Sequence, residues 1–235
     1  MPHDVAASEE MFIKHFSDPE KVAAYAEGPR RYVPGLEALH TMTGLLLAEC
    51  APADARVLVL GAGGGAELAA MARAYPGWSF VGVDPAAEML RLAEQVVGSD
   101  MDRVELVEGY IQDAPAGPFD AATCLLTLHF LPEPERIETV RQIHERLRLG
   151  APFIAAHSSF PQEEAARDRW LDRYASYPIA MGADPEQVRQ AREAVAASLN
   201  TFSPERDEAV LRAGGFSDVE LFYAGFTWRG WVSYA

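Results

Sequence analysis

Cysteine is scarce: Cys50 and Cys124 are the only two thiols in 235 residues. That excludes a disulfide framework, and Cys124 lies in an apolar run where a thiol acts as a small hydrophobe. Basic side chains are also few, 20 Lys and Arg against 35 Asp and Glu, for a formal net charge of −15. Such a field repels phosphate backbones and anionic lipid surfaces, so the expected partners include no nucleic acid and no membrane. No segment reaches the roughly 18 uninterrupted apolar residues of a membrane helix. The opening Met1-Pro2-His3-Asp4 lacks the basic region and apolar core of a targeting signal, which points to a cytoplasmic protein. His3, His15, His40 and His144 show no metal-ligand spacing with each other or with a cysteine, so no metal is expected. Neither a nucleophile elbow nor a phosphate-binding lysine loop occurs.

Hydrophobic residues at 49% and charged residues at 23% give the balance of a globular chain, of a length suited to one α/β domain with a helical addition. Residues 1–50 read as an N-terminal helical cap. Asp18-Pro19 supplies an N-cap with proline at the first helical position, and Leu36–Leu47 suits a partly buried helix. Such helices either lie across the mouth of the core or pack beside it. From Arg56 a regular alternation begins. Strand candidates Arg56–Leu60, Trp78–Asp84, Val104–Glu108, Phe119–Leu126 and Phe153–His157 are interleaved with helical stretches Ala66–Ala74, Ala86–Val97 and Glu133–Leu147. Right-handed βαβ crossovers of this kind build a parallel sheet covered on both faces. Residues 51–235 are therefore expected to form a doubly wound, mostly parallel α/β core with a helical insertion at 161–200. Ser203-Pro204 starts a further helix, and an antiparallel hairpin of Ser217–Tyr223 and Phe226–Tyr234, turning at Ala224-Gly225, ends the chain.

The strongest chemical signal is Leu60-Gly61-Ala62-Gly63-Gly64-Gly65-Ala66, where a buried strand runs through a glycine-crowded turn into a helix. The backbone there can turn tightly and approach a ligand closely. The next strand ends in Asp84, at the spacing where a carboxylate accepts hydrogen bonds from ribose hydroxyls, although Asp84-Pro85 also suits a helix N-cap. The loop alone does not separate cofactors, because Gly61-x-Gly63-x-x-Ala66 also satisfies the nicotinamide dinucleotide pattern.

Leu60–Gly65, Val81–Asp84, Glu108–Asp113, Phe119–Leu131, Leu147–Ile154 and the terminal hairpin together resemble the class I S-adenosylmethionine-dependent methyltransferases. The resemblance implies a seven-stranded, Rossmann-like sheet, S-adenosyl-L-methionine as cofactor and methyl transfer as activity. Carried over by position, it implies cofactor contacts from Gly61, Gly63, Gly65, Asp84, Pro85, Tyr110, Ile111 and Leu125. Tyr110 stands where the family commonly has aspartate. Either Tyr110 stacks on or hydrogen-bonds the adenine, or Ile111 offers its N–H and Asp113 takes the polar role.

Val22–Gly35, Leu126–Leu131, the insertion and Leu211–Phe216 are more closely similar to carboxy-S-adenosylmethionine synthases of wobble-uridine modification. Three departures set the chain apart: Leu36 where those enzymes have tyrosine, Leu125 where they have asparagine, and Val210 at the nearest match to their carboxylate-binding arginine, with Arg206 or Arg212 the counterpart if the register slips. An added carboxylate without a cation is costly, so the expected cofactor is plain S-adenosylmethionine.

The resulting expectation is methyl transfer to a small organic molecule, with a homodimer left open. The alternatives are a carboxy-S-adenosylmethionine synthase-like enzyme of tRNA modification and a non-catalytic S-adenosylmethionine-binding protein. His129 and His157, just past the fourth strand and at the end of the fifth, are the candidate catalytic residues, each placed at the ligand-binding edge to accept a proton. Aromatic residues including Phe12, Phe16, Tyr25, Tyr32, Trp170, Tyr174, Tyr177, Trp228 and Trp231 cluster in the segments expected to roof the cleft or pack beneath it.

Overall fold

The computed structural model describes residues 28–235. The helix start expected at Asp18-Pro19, and Phe12, Phe16 and Tyr25, lie outside the described residues. Two helices, α1 (Gly28–Tyr32) and α2 (Leu36–Ala48), precede the core. The core then alternates β1 (Arg56–Leu60), α3 (Ala66–Ala74), β2 (Ser79–Asp84), α4 (Ala87–Val97), β3 (Val104–Glu108), β4 (Ala121–Leu125), α5 (Glu133–Glu145) and β5 (Pro152–Ser158). The insertion is the helix pair α6 (Glu164–Ala180) and α7 (Pro185–Ser198). It is followed by α8 (Pro204–Ala213), β6 (Ser217–Gly225) and β7 (Trp228–Tyr234). The hairpin turns at Phe226-Thr227, two residues later than expected, with Phe226 in the left-handed region at φ 51°.

The seven strands form one sheet in the order β3-β2-β1-β4-β5-β7-β6, parallel except where β7 runs against β5 and β6. Every described side chain of β4 and β5 is buried, which explains why these strands read as continuous apolar runs. Alternate residues serve opposite layers. Val57 and Val59 of β1 pack with α2 and α3, whereas Leu58 and Leu60 pack with α5 and α8. Adjacent β1 and β4 send their connections to opposite sides of the sheet, which opens a crevice at their carboxyl ends, where open α/β sheets bind ligands.

The added helices are stitched above this crevice. Tyr223 Oη donates to the Pro34 carbonyl at 2.6 Å, and Trp228 Nε1 to that of Tyr32 at 2.9 Å, so the hairpin holds the α1–α2 junction. The Tyr32 and Tyr174 rings lie 5.5 Å apart, joining α1 to the insertion. Asp184 caps α7 by accepting from the Glu186 and Gln187 N–H groups at 3.0 and 2.9 Å. No helix among the described residues is long and apolar enough to cross a membrane.

Candidate active site

The crevice is a cavity of about 1200 Å³ reaching from the glycine turn to the inner faces of α1, α2, α6 and α7. Single small-molecule pockets occupy about 300–1,000 Å³, so the space accommodates a cofactor together with a second molecule. Its floor begins at the glycine turn. Gly61 sits at φ 75°, and a Cβ there would come within 2.0 Å of Thr127 Oγ1. At Gly65, φ 78°, a Cβ would meet the α4 backbone at Ala93 Cα at 2.7 Å, so the glycine lets α3 and α4 pack closely. Gly61 and Gly63 line the cavity and Gly65 does not: its role is in the packing behind.

Asp84 ends β2 buried beside this turn. One carboxylate oxygen accepts the Gly63 N–H and the other the Ala86 N–H, both at 2.9 Å. Burial raises its pKa, and the two N–H donors oppose the rise. A carboxylate has about four acceptor sites, so two hydrogen bonds leave capacity for ribose hydroxyls. Asp84 thus pins the loop and faces the cavity at once. The N-cap residue of α4 is Ala86, without a side-chain cap.

Pro85, Tyr110, Ile111 and Leu125 also line the cavity. Asp113 does not: its carboxylate accepts the Tyr110 N–H at 2.8 Å within a one-turn 3₁₀ helix, which leaves Gln112 on the cavity wall. After β4 the chain turns through Leu126 at φ 57°, strained for a bulky residue, with Thr127 Oγ1 donating to the Leu125 carbonyl at 2.9 Å.

The two candidate histidines lie in different surroundings. His129 lines the cavity, 3% exposed, and its Nδ1 accepts the Ser158 N–H at 3.2 Å. Burial, reinforced by His157 and Arg136, holds its pKa well below the usual value. The ring is therefore neutral with its proton on Nε2, a donor in place of the expected proton acceptor. His157 is not on the cavity wall; its Nε2 lies 3.0 Å from Asp207 Oδ1, beneath the Trp231 ring. Asp207 also pairs with Arg136 at 2.6 Å.

Val210, on α8, is 2% exposed within the apolar cluster of Leu211 and Phe216 and is not among the residues lining the cavity. Arg206 pairs with Glu133 and Arg212 with Glu208, both at the surface. None of the three stands where a cofactor carboxylate would need a cation.

Glu67, Gln112, Thr127, His40 and Asn200 were not expected from the sequence, yet all line the cavity. Glu67 carried a usable signal, being a carboxylate in the first turn after the glycine loop. Asn200 carried none, because it is placed by the insertion: its N–H donates to the His129 carbonyl and its Nδ2 to that of Phe130, each at 3.0 Å.

The residues fit S-adenosylmethionine. An acidic ribose site, a glycine cradle and an apolar wall after β3 surround the crevice, and the described residues lining it include no lysine or arginine. S-adenosylmethionine carries a sulfonium and an ammonium against one carboxylate, a balance of charge suited to such a lining. Residues 57–150 match a family model described as a methyltransferase domain. The chain is 25% identical over 227 residues to the carboxy-S-adenosyl-L-methionine synthase of Chromohalobacter salexigens, covering 94% of this chain and 84% of that protein. It is 26% identical to the Citrifermentans bemidjiense enzyme of the same name, covering 92% and 91%. Human N-acetylserotonin methyltransferase in complex with S-adenosylmethionine superimposes with a TM-score of 0.64 at 16% identity, covering 97% of this chain and 59% of that one. PigF with S-adenosylhomocysteine gives 0.66 at 18% identity, covering 94% and 61%. The chain thus spans about three-fifths of those solved chains. Residues 57–150 thus carry a methyltransferase domain, and the chain has the fold of these S-adenosylmethionine-dependent methyltransferases. Over more than nine-tenths of its length it is similar to those two carboxy-S-adenosyl-L-methionine synthases.

Proposed function

We propose that this enzyme transfers the methyl group of plain S-adenosylmethionine to a small, neutral or cationic organic molecule held beneath α1, α6 and α7. The observation that carries this reading is the charge of the cavity. Its described lining holds Glu67, Asp84, Glu135 and Glu138 and no lysine or arginine. Bound S-adenosylmethionine would supply a sulfonium methyl open to direct displacement. The chain's task is then to align a nucleophile, exclude water and hold the cofactor. Asp84 and Gln112 face the nucleoside end, and the glycine turn faces the methionyl end. His129 donates from Nε2 towards a substrate or cofactor acceptor. Tyr174, Trp228 and Leu36 close an apolar chamber of the kind that holds small molecules with few polar anchors.

The names of the relatives support a second reading, synthesis of a carboxylated cofactor. It requires a cation for the added carboxylate, and Val210, Arg206 and Arg212 lie elsewhere. With a net charge of −15, tRNA is disfavoured as a partner. Parallel calorimetric titrations with S-adenosylmethionine, its carboxylated form and NAD test the proposal. Tight binding of the first alone supports it; preference for the carboxylated form would establish the second reading, and preference for NAD would overturn both.

A further inference from the structure

Glu67 sits in the first turn of α3, immediately after the glycine loop, on the cavity wall. Only 6% of the residue is exposed, and its Oε1 is buried without a hydrogen-bond partner, as is Oγ1 of the neighbouring Thr123 on β4. Buried polar atoms are almost always paired, so an orphaned oxygen on a carboxylate residue that lines a ligand cavity marks room for a further donor. Among the described residues the Thr123 hydroxyl is the side chain that acts on this carboxylate, and it carries no charge. Cys124, the titratable group nearest along β4, is kept protonated by burial, and Asp84 and His129 complete the ionisable groups of the floor. The described lining residues include no lysine or arginine, which leaves the carboxylate open to a cationic group of the ligand.

We infer that the Glu67 carboxylate accepts hydrogen bonds from the α-ammonium group of bound S-adenosylmethionine. This rests on the cofactor reading above. Of the two cationic centres on that molecule, the sulfonium has no N–H or O–H to donate, whereas the ammonium has three donors to offer the carboxylate. Placement agrees, because Glu67 adjoins the glycine turn that faces the methionyl end in this reading. The inference has a proton consequence. In the unliganded protein burial raises the Glu67 pKa to about 7, with the Thr123 hydroxyl opposing. Pairing with an ammonium favours the ionised form, so ligand binding expels the proton to solvent.

The test is calorimetry of the full chain and of Glu67→Gln in two buffers of different ionisation enthalpy. The ligands are S-adenosylmethionine, S-adenosylhomocysteine and the homocysteine nucleoside lacking its α-amino group. The wild type should release close to one proton per ligand at pH 6 and about half of one at pH 7, as a group titrating near 7 requires. S-adenosylhomocysteine should release the same amount, because it keeps the ammonium and lacks only the sulfonium charge. The deaminated nucleoside should bind the wild type roughly 10- to 100-fold more weakly, with no proton release. Glu67→Gln should show that weakening with both S-adenosyl ligands, no further weakening with the deaminated nucleoside, and no proton release with any of the three. Proton release that is absent from the wild type, or unchanged in the variant, would overturn the role of Glu67 and leave the cofactor reading standing. Failure of both S-adenosyl ligands to bind the wild type would overturn the cofactor reading and this inference with it. Because the deaminated comparison uses the wild type, it holds even if the variant folds poorly.

Discussion

Arg136 and Asp207 meet at 2.6 Å with neither side chain exposed, joining α5 to α8 beneath the edge of the cavity. Arg136 also donates to the carbonyls of Leu131 and Asn200, and His157 approaches the same Asp207 oxygen. One buried ion pair therefore ties the segment after β4, the chain leaving α7 and strand β5 to a common point. Asp207→Ala strands the guanidinium in the interior and should cost about 3–5 kcal/mol of stability, read from urea unfolding. Replacing both partners with apolar residues, Arg136→Met with Asp207→Leu, should cost less than the single change. A single variant as stable as wild type would show that the pair is not holding these elements.

Asp84→Ala should weaken S-adenosylmethionine by about 1.5–3 kcal/mol, the scale of lost charge-assisted hydrogen bonds. Because Asp84 also accepts the Gly63 and Ala86 N–H groups, the unliganded variant should lose thermal stability as well. Calorimetry and thermal melts separate the two effects. Unchanged affinity in a folded variant would remove Asp84 from the ribose site.

Glu67 makes the stability of the unliganded protein pH-dependent. Its folded-state pKa, about 7, lies above the ordinary carboxyl value of 4.5, so the folded form retains its proton to higher pH than the unfolded chain does. Its relative contribution is full below about pH 4.5 and is lost as pH rises through about 7, a change of about 3 kcal/mol. The stability advantage of Glu67→Gln over wild type should therefore grow between pH 5 and pH 7 and then level off. Parallel stability curves for the two proteins would contradict this.

Val210→Arg should not recruit a carboxylated cofactor. The side chain is enclosed in the apolar cluster with Leu211 and Phe216, and a guanidinium there overpacks the core and desolvates its charge. A loss of at least about 3 kcal/mol in stability is expected, without a change in cofactor preference in whatever folded protein remains. A stable variant favouring the carboxylated form would mean that α8 reaches the site after all.

The core was readable because its signals are local. The runs at Arg56–Leu60 and Val104–Glu108, the helix Ala66–Ala74 between glycine turn and breaker, and Asp84 closing β2 each follow from side-chain pattern and backbone constraint within a few residues. Those determined the strand and helix order, and with it the edge where Gly61, Gly63 and Asp84 converge. Contacts between distant segments were not readable in this way. Nothing near His129 in the chain shows that Ser158 occupies its Nδ1, 29 residues on, and so decides which nitrogen carries the proton. Val210 and His157 seemed placed for ligand chemistry by alignment and by strand position. Tertiary packing buried Val210 in the apolar core and set His157 against Asp207. Glu67 shows the division most clearly. Its place after the glycine loop is local, but the unpartnered oxygen and raised pKa arise only where α3, β4 and the turn after it enclose a carboxylate away from water. Desolvation and orientation are properties of enclosure by several elements, and a linear pattern does not encode which groups will share one cavity.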